Sequence, residues 1–536
     1  MLKELPLGTS IFETLRATDE LYVDKTDLIY QLARRRSKCF LARPRRFGKS
    51  LLISTFESLF QYGLRDFQGL AIEPLWKDKT YPVARLDFSR LTTFRSYEEF
   101  KERFQSFLQS AFIPLGFVYR RELDSLQFLE QLGLWIASLP PNSLVVLIDE
   151  YDAPLTAHLE DREKFEAVRD CLQPFYALLK EYEGRLRFFF MTGITKFSNT
   201  SVFSAFNNLR DISLDPEYGT LLGYTEEEMR AVFLPYVDNA ADVLGMTREE
   251  VLSRLKEQYD GFSFDREASH RVYCPWSVLN FLSTPKNGFL NYWYVSGGRP
   301  TVLTKYLVNH ALAEPISYSE ERKVTLFDLT LSQQYDYMSI ENLLMQAGYY
   351  TIRSVLQDET VVLGYPNREV AISMAQLYAE ELLQGKNLRN VCPTPALSVL
   401  SSGAAEEVVS YFTEVLRAID YQRYPVKDEA TCRGYLQVLL IGAAMLPSVE
   451  VHNAFGRSDL EVEAGDRLWV FEIKCARESK EVDSLLREAV EQMGSRHYGS
   501  KRSGKKVIRM ALVFDVSERG FSAWKCLCRS RWSPYH

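Results

Sequence analysis

Residues 40–52 read FLARPRRFGKSLL, an apolar strand end, a basic turn and the start of a helix. Phosphate-binding loops follow G-x-x-x-x-G-K-[ST], with glycines where backbone must come close to phosphate. Gly48, Lys49 and Ser50 fill the closing positions, but Arg43 stands where the first glycine is expected. Pro44 fixes its own φ and biases Arg43 toward extended backbone, so the turn can form without that glycine. Free N–H groups and the dipole at a helix N-terminus favour phosphate. Arg43, Pro44, Arg45, Arg46, Phe47, Gly48, Lys49, Ser50 and Leu51 are therefore the expected nucleotide-binding residues. Lys49 is expected to reach the β- and γ-phosphates of ATP, and the Ser50 hydroxyl to hold Mg²⁺. The three arginines either surround a triphosphate with positive charge or face solvent and acidic neighbours; the sequence leaves both open.

The surroundings decide whether the loop has meaning. Between roughly 36 and 200, the apolar stretches KCFLA, YPVARLDFS, SLVVLIDE and LRFFFMTGI alternate with helical segments. That alternation predicts a parallel α/β sheet, whose ligands lie at the carboxyl ends of the strands. SLVVLIDE ends there in Asp149 and Glu150, and the following strand brings Thr192 to the same edge. Asp149 is read as ordering Mg²⁺-bound water, Glu150 as the catalytic group that orients or activates attacking water, and Thr192 as a polar γ-phosphate sensor.

Composition narrows the class. The chain has 536 residues, 46% hydrophobic and 25% charged, with a formal net charge of −7. About two to four domains are expected at this length. The charge does not advertise nucleic acid, so any such contact would come from a local basic patch. No apolar stretch of signal-peptide length opens MLKELPLGTS, and VLLIGAAMLP near residue 440 is too short to span a bilayer. Eight scattered cysteines without metal-ligand spacing are read as reduced thiols in a cytoplasmic protein. The expected divisions are 1–223 for the P-loop domain, 224–394 for a helical lid with a winged-helix region, and 395–536 for a second α/β unit.

That second unit carries a further constellation. SDLEVE and LWVFEIK both alternate, and AGDR between them supplies turn residues. If Glu463 and Leu468 close a hairpin, Asp459 falls opposite Glu472 and Arg457 opposite Lys474. Directly opposed side chains have Cβ atoms about 4.5–5.5 Å apart, where like charges destabilise a sheet. A divalent cation between Asp459 and Glu472 turns that repulsion into coordination, and such hard oxygen ligands suit Mg²⁺ or Mn²⁺. Lys474 projects from the same face, while Glu461 and Glu463 are expected on a solvated one. Glu450 is a candidate further metal ligand, and basic residues at 495–506 are candidates for phosphate contact.

The stretches LPLGTSIFETLRATDELYVDKTDLIYQL, RPRRFGKSL, LIDEYDAPL and TGITKFSNTSVFSAFNNLRDIS resemble the bacterial and archaeal AAA-ATPase-like family. YDGF at 259–262, YCPWSVLNFL and YWYVSGGRP continue the likeness over nearly the whole chain. In that family the loop is typically R-P-R-R-F-G-K-S, so Arg43 is its ordinary form, while Cys274 stands where members more often carry Asn. The resemblance makes Arg210 and Arg299 candidates for finger or sensor roles. Asp459 followed by Glu472-Ile-Lys474 resembles the PD-(D/E)XK nuclease core, and FGRSDLEVE matches the nuclease domain commonly fused to this family. The resemblance places Gln492 and Tyr498 where the following helix often carries a Q-x-x-x-Y-like motif, and gives Gln492 a catalytic place beside Asp459, Glu472 and Lys474. It implies a P-loop ATPase-like sheet joined to a restriction-endonuclease-like α/β domain. The implied activity is an ATP-dependent or ATP-gated, metal-dependent nuclease, with DNA favoured over RNA, in defence or mobile-element maintenance. A nucleotide-controlled switch with an inactive nuclease-like module, and a slow ATPase with a structural C-terminal domain, are the alternatives. A homo-oligomer is the candidate assembly.

Overall fold

The structure, a computed structural model, describes residues 2–120, 127–159, 161–196, 209–295, 321–330, 339–386, 388–445, 447–453, 456–495 and 505–527. Two compact units divide the chain, Met1–Tyr306 with Glu321–Val370, and Leu307–Glu320 with Ala371–His536.

The first unit is built on five parallel strands: β1 (Lys38–Ala42), β2 (Val83–Asp87), β3 (Leu144–Asp149), β4 (Leu186–Gly193) and β5 (Arg210–Asp211). Their order is β2-β3-β4-β1-β5, and every pairing is parallel. Strands β3 and β4 are buried along their whole length, as central strands covered on both faces must be, which is why they read as unbroken apolar runs. Helix α1 (Lys49–Tyr62) follows the loop and lays Leu52, Ile53, Phe56, Leu59 and Phe60 on the sheet. Phe56 meets Phe188 and Phe190 of β4 at centroid distances of 5.0 and 4.8 Å. Each such ring, once buried, contributes about 1.5–3 kcal/mol.

A helical cluster completes this unit, with Met229, Phe233, Val237, Leu255, Tyr259 and Phe281 at its centre. Leu5, Leu7 and Leu21 pack against it, so the N-terminal segment is tied to the helices beyond residue 224. A small antiparallel sheet, β6 (Arg322–Thr325), β7 (Thr351–Val355) and β8 (Thr360–Gly364), runs in the order β6-β8-β7. Strand β8 pairs with β7 on one side and β6 on the other, both antiparallel.

The second unit holds a mixed sheet of β9 (Ser448–Asn453), β10 (Gly456–Ala464), β11 (Arg467–Ala476), β12 (Lys506–Asp515) and β13 (Gly520–Leu527). The order is β13-β12-β11-β10-β9, with only β11 and β12 parallel. Helix α3 (Val482–Ser495) makes the crossover between them, burying Ala489 and Met493 against Leu468, Val470 and Ala511. Helix α2 (Glu429–Gly442) packs on β10 and β11.

Candidate functional site

The loop after β1 is shaped by two left-handed residues, Arg46 at φ 70° and Gly48 at φ 89°. A Cβ on Gly48 would meet nothing within 4 Å, so glycine is needed there for its backbone conformation and not for space. Phe47 turns inward and meets Phe262 and Phe264 edge-on, each at 4.9 Å. Lys49 is buried, and its ammonium donates to the carbonyls of Arg43 at 3.0 Å and Pro44 at 2.9 Å. Burial pushes its pKa down, while Glu150, Asp149 and Asp152 oppose that shift.

A cavity of about 600 Å³ opens beside this loop. Residues 45–52 line it together with Glu150, the segment 6–10, Tyr224 and Trp276. Its size suits a nucleotide. Two buried donors on its wall, Arg45 Nε and Trp276 Nε1, have no hydrogen-bond acceptor among the described residues. Arg46 lies with its guanidinium 4.2 Å over the Trp276 ring. The fit to an anionic, ring-bearing ligand is good.

Arg43 takes neither of the environments expected for it. It is 1% exposed and donates to the carbonyls of Ala42 at 2.8 Å, Ser213 at 2.6 Å and Tyr218 at 3.2 Å. Its guanidinium lies 4.5 Å over Phe264. With Pro44 it lines a separate cavity of about 270 Å³. The physical reason is carbonyl supply: the end of β1 offers one acceptor and the backbone after β5 two more, where an acidic side chain was expected.

At the ends of β3 and β4, Asp149 is buried and accepts the Thr192 hydroxyl at 2.7 Å. Glu150 sits at φ 49°, an uncommon conformation for a side-chain-bearing residue. Its pKa is raised, first by burial, against the pull of Lys49. Asp152, which motif reading passed over, is also buried and accepts the N–H groups of Ile194 at 3.1 Å and Thr195 at 2.7 Å. Burial pushes it up to about 6. A Cβ on Gly193 would come within 2.7 Å of both Asp152 and Tyr151, so these two strand ends are locked together by close approach.

In the second unit the β10–β11 register runs from Ala464 opposite Arg467 to Leu460 opposite Phe471, the expected alignment. Asp459 accepts the Ile473 N–H at 2.8 Å, between Glu472 and Lys474. Glu472 is buried, and Lys474 Nζ lies 4.0 Å from it. Two helices join them. Glu429 of α2 is 3.8 Å from Lys474, Glu488 of α3 is 3.3 Å from it, and Arg433 of α2 is 3.4 Å from Asp459. Glu429 and Arg433, one turn apart, carried no motif; only their i, i+4 spacing after Asp428 marked one helix face.

Residues 6–203 match the family described as Predicted AAA-ATPase. Residues 428–524 match the PD-(D/E)XK nuclease superfamily. An uncharacterized protein in the vnfD 5′ region of Azotobacter chroococcum mcd 1 is 30% identical over 538 residues, 96% of this chain and 97% of that one. The chain belongs to the AAA-ATPase-like family and ends in a PD-(D/E)XK nuclease superfamily domain.

Within this AAA-ATPase-like protein the other expected residues are placed as follows. Arg210 pairs with Asp215 at 2.6 Å and Glu217 at 3.2 Å. Cys274 is buried, its thiol pushed up to about 12 by burial. Gln492 is half-buried on α3, one turn beyond Glu488. Glu461 is a correction: it is buried and accepts the Ser458 hydroxyl at 2.9 Å, because β10 is an interior strand covered by helices. Glu463 pairs with Lys505 at 2.6 Å at the partly exposed end of the hairpin. Glu450 lies on β9 between Val449 and Val451, which pair with Leu460 and Ser458; its side chain lies outside the described residues. Arg299, Tyr498 and most of the basic run 495–506 also lie outside them. No described helix is long and apolar enough to cross a membrane.

Proposed function

We propose that this protein is an ATP-dependent or ATP-gated nuclease that hydrolyses nucleic-acid phosphodiester bonds with a divalent metal. The observation that carries the reading is the hairpin, where Asp459 is bound to the main chain between Glu472 and Lys474. Three unlike groups are thereby gathered on two strands, two hard-oxygen donors and one ammonium. Asp459 and Glu472, with Glu450, would hold Mg²⁺ or Mn²⁺. When bound, the ion supplies Lewis-acid polarisation and lowers the pKa of a coordinated water. Lys474, kept cationic by neighbouring Glu429 and Glu488, stabilises charge on the scissile phosphate, and Gln492 belongs to the same helix face as Glu488.

In the first unit, Lys49 and Arg45 neutralise the phosphates of ATP, while Ser50 and Asp149 would hold its Mg²⁺. Glu150 orients the attacking water at the cavity wall, and Thr192 bears on it through Asp149. The two orphaned donors, Arg45 Nε and Trp276 Nε1, support a ligand that carries hydrogen-bond acceptors. DNA is favoured over RNA as the substrate, in the cytoplasm.

One observation favours a second reading, a nucleotide-controlled switch with an inactive nuclease-like module. Asp459 is already engaged by Arg433 and the Ile473 N–H, and Lys474 by Glu488 and Glu429. Incubating the pure protein with labelled single- and double-stranded DNA and RNA, with and without Mn²⁺ and ATP, separates the two. Metal-dependent cleavage supports the nuclease; ATP binding with no cleavage of any substrate supports the switch.

A further inference from the structure

The charges around the hairpin are divided unequally. Lys474 is shared among Glu488 at 3.3 Å, Glu429 at 3.8 Å and Glu472 at 4.0 Å. Asp459 is served from the other side, by Arg433 at 3.4 Å and the Ile473 N–H at 2.8 Å. Among the described residues, four carboxylates thus face two cations, an excess of negative charge that a divalent ion would neutralise. Arg433 is held in place by its helix: Asp428 caps α2 by accepting the Thr431 N–H at 2.8 Å, which sets Glu429 in the first turn and Arg433 one turn on. The Arg433 and Asp459 side chains are 19% and 17% exposed, so water screens the pair only in part.

A guanidinium stays charged at any ordinary pH. As a metal ligand, Asp459 would offer a divalent cation the carboxylate that Arg433 now faces at 3.4 Å. The two cations repel each other and compete for one carboxylate. We infer that Arg433 is the resident counter-ion of Asp459 which a divalent metal must displace, so that this arginine sets the metal concentration at which the hairpin loads. The inference rests on the reading of Asp459 and Glu472 as metal ligands.

The test is Mn²⁺ titration of the full chain, read by calorimetry and by the loss of free-Mn²⁺ paramagnetic signal, without nucleotide or nucleic acid. The Asp459→Ala/Glu472→Ala variant gives the binding that belongs to other parts of the chain. Arg433→Gln is expected to bind Mn²⁺ at the hairpin about tenfold more tightly than the parent, whereas Arg433→Lys, which keeps the charge, stays near the parent. A helix residue with a merely structural role would lower the melting temperature without tightening Mn²⁺. Should Arg433→Gln fail to fold, Arg433→Met keeps the aliphatic stem and gives the same reading. Equal or weaker affinity in the neutral variants overturns the inference while leaving the metal site in place. If parent and variants all match the double carboxylate variant, the metal-ligand reading falls and the inference falls with it.

Discussion

Lys49 illustrates how much one side chain is asked to do. Its ammonium is buried and held by two carbonyls of its own loop, so the loop is already shaped around a cation. Lys49→Ala is expected to abolish tight ATP binding by calorimetry, and to lower the melting temperature without unfolding the chain, because the Arg43 and Pro44 carbonyls lose this donor. Glu150→Gln should keep ATP bound, since the carboxamide has nearly the same shape, but slow hydrolysis by about 10²-fold or more. Equal turnover by that variant and the parent would move the water-orienting role elsewhere. On the hairpin, Asp459→Ala is expected to eliminate Mn²⁺-dependent cleavage, and Lys474→Ala to keep Mn²⁺ affinity while losing most of the rate. Cleavage surviving in Asp459→Ala would refute the assignment.

At the scale of elements, Arg43 is the joint between β1 and the segment after β5. Replacing it by Ala leaves the Ala42, Ser213 and Tyr218 carbonyls short of a donor, at about 1–3 kcal/mol for the buried one at Tyr218 and less for the two part-buried ones. Arg43→Lys has one ammonium in place of a planar fork and should recover only part of that loss, which chemical denaturation of the two variants would measure. The sequence made the parallel sheet legible because β3 and β4, covered on both faces, show as uninterrupted apolar runs. The hairpin was legible for the opposite reason: alternation plus a turn determined its register. Other features left no such mark. Strand β5 is two residues long, and Glu461 follows an alternation that promises solvent although helices cover it. Glu429, Arg433 and Glu488 look like ordinary helix-surface charges until the fold sets them beside Lys474. Asp152 was hidden by its neighbours, since the acidic pair before it satisfied the motif.

Considered as a whole molecule, the first unit carries buried carboxylates that shape its response to pH. Burial pushes Glu369 up to about 8, despite hydrogen bonds from Ser277 at 2.7 Å and the Trp293 N–H at 2.8 Å, and pushes Asp152 and Asp260 up to about 6. A carboxyl whose pKa is raised on folding holds its proton longer in the native state. Below the unfolded value both states are protonated and stability is unaffected. Above it the unfolded chain ionises first, and each pH unit removes about 1.4 kcal/mol per group until the folded pKa is reached. Stability of the first unit is therefore expected to fall from about pH 4 to pH 8 through these groups, with Glu369 alone acting over the upper half. Glu369→Gln cannot ionise; its carbonyl can accept the Trp293 N–H while its amide donates to the Ser277 hydroxyl. It should melt higher than the parent at pH 8, with the gap closing at pH 5; a gap independent of pH would assign the shift to packing.

The cation resting on the face of Trp276 gives this protein a built-in optical gauge. An indole reports the charge around it through the colour and yield of its emission, and here the guanidinium on the ring belongs to the same loop that bears Lys49. Filling the neighbouring cavity with phosphate oxygens changes the field at that ring. The chain has seven tryptophans, so the signal is the difference between the parent and Trp276→Phe. Read in a stopped-flow instrument, it would time the arrival and departure of nucleotide with no dye attached.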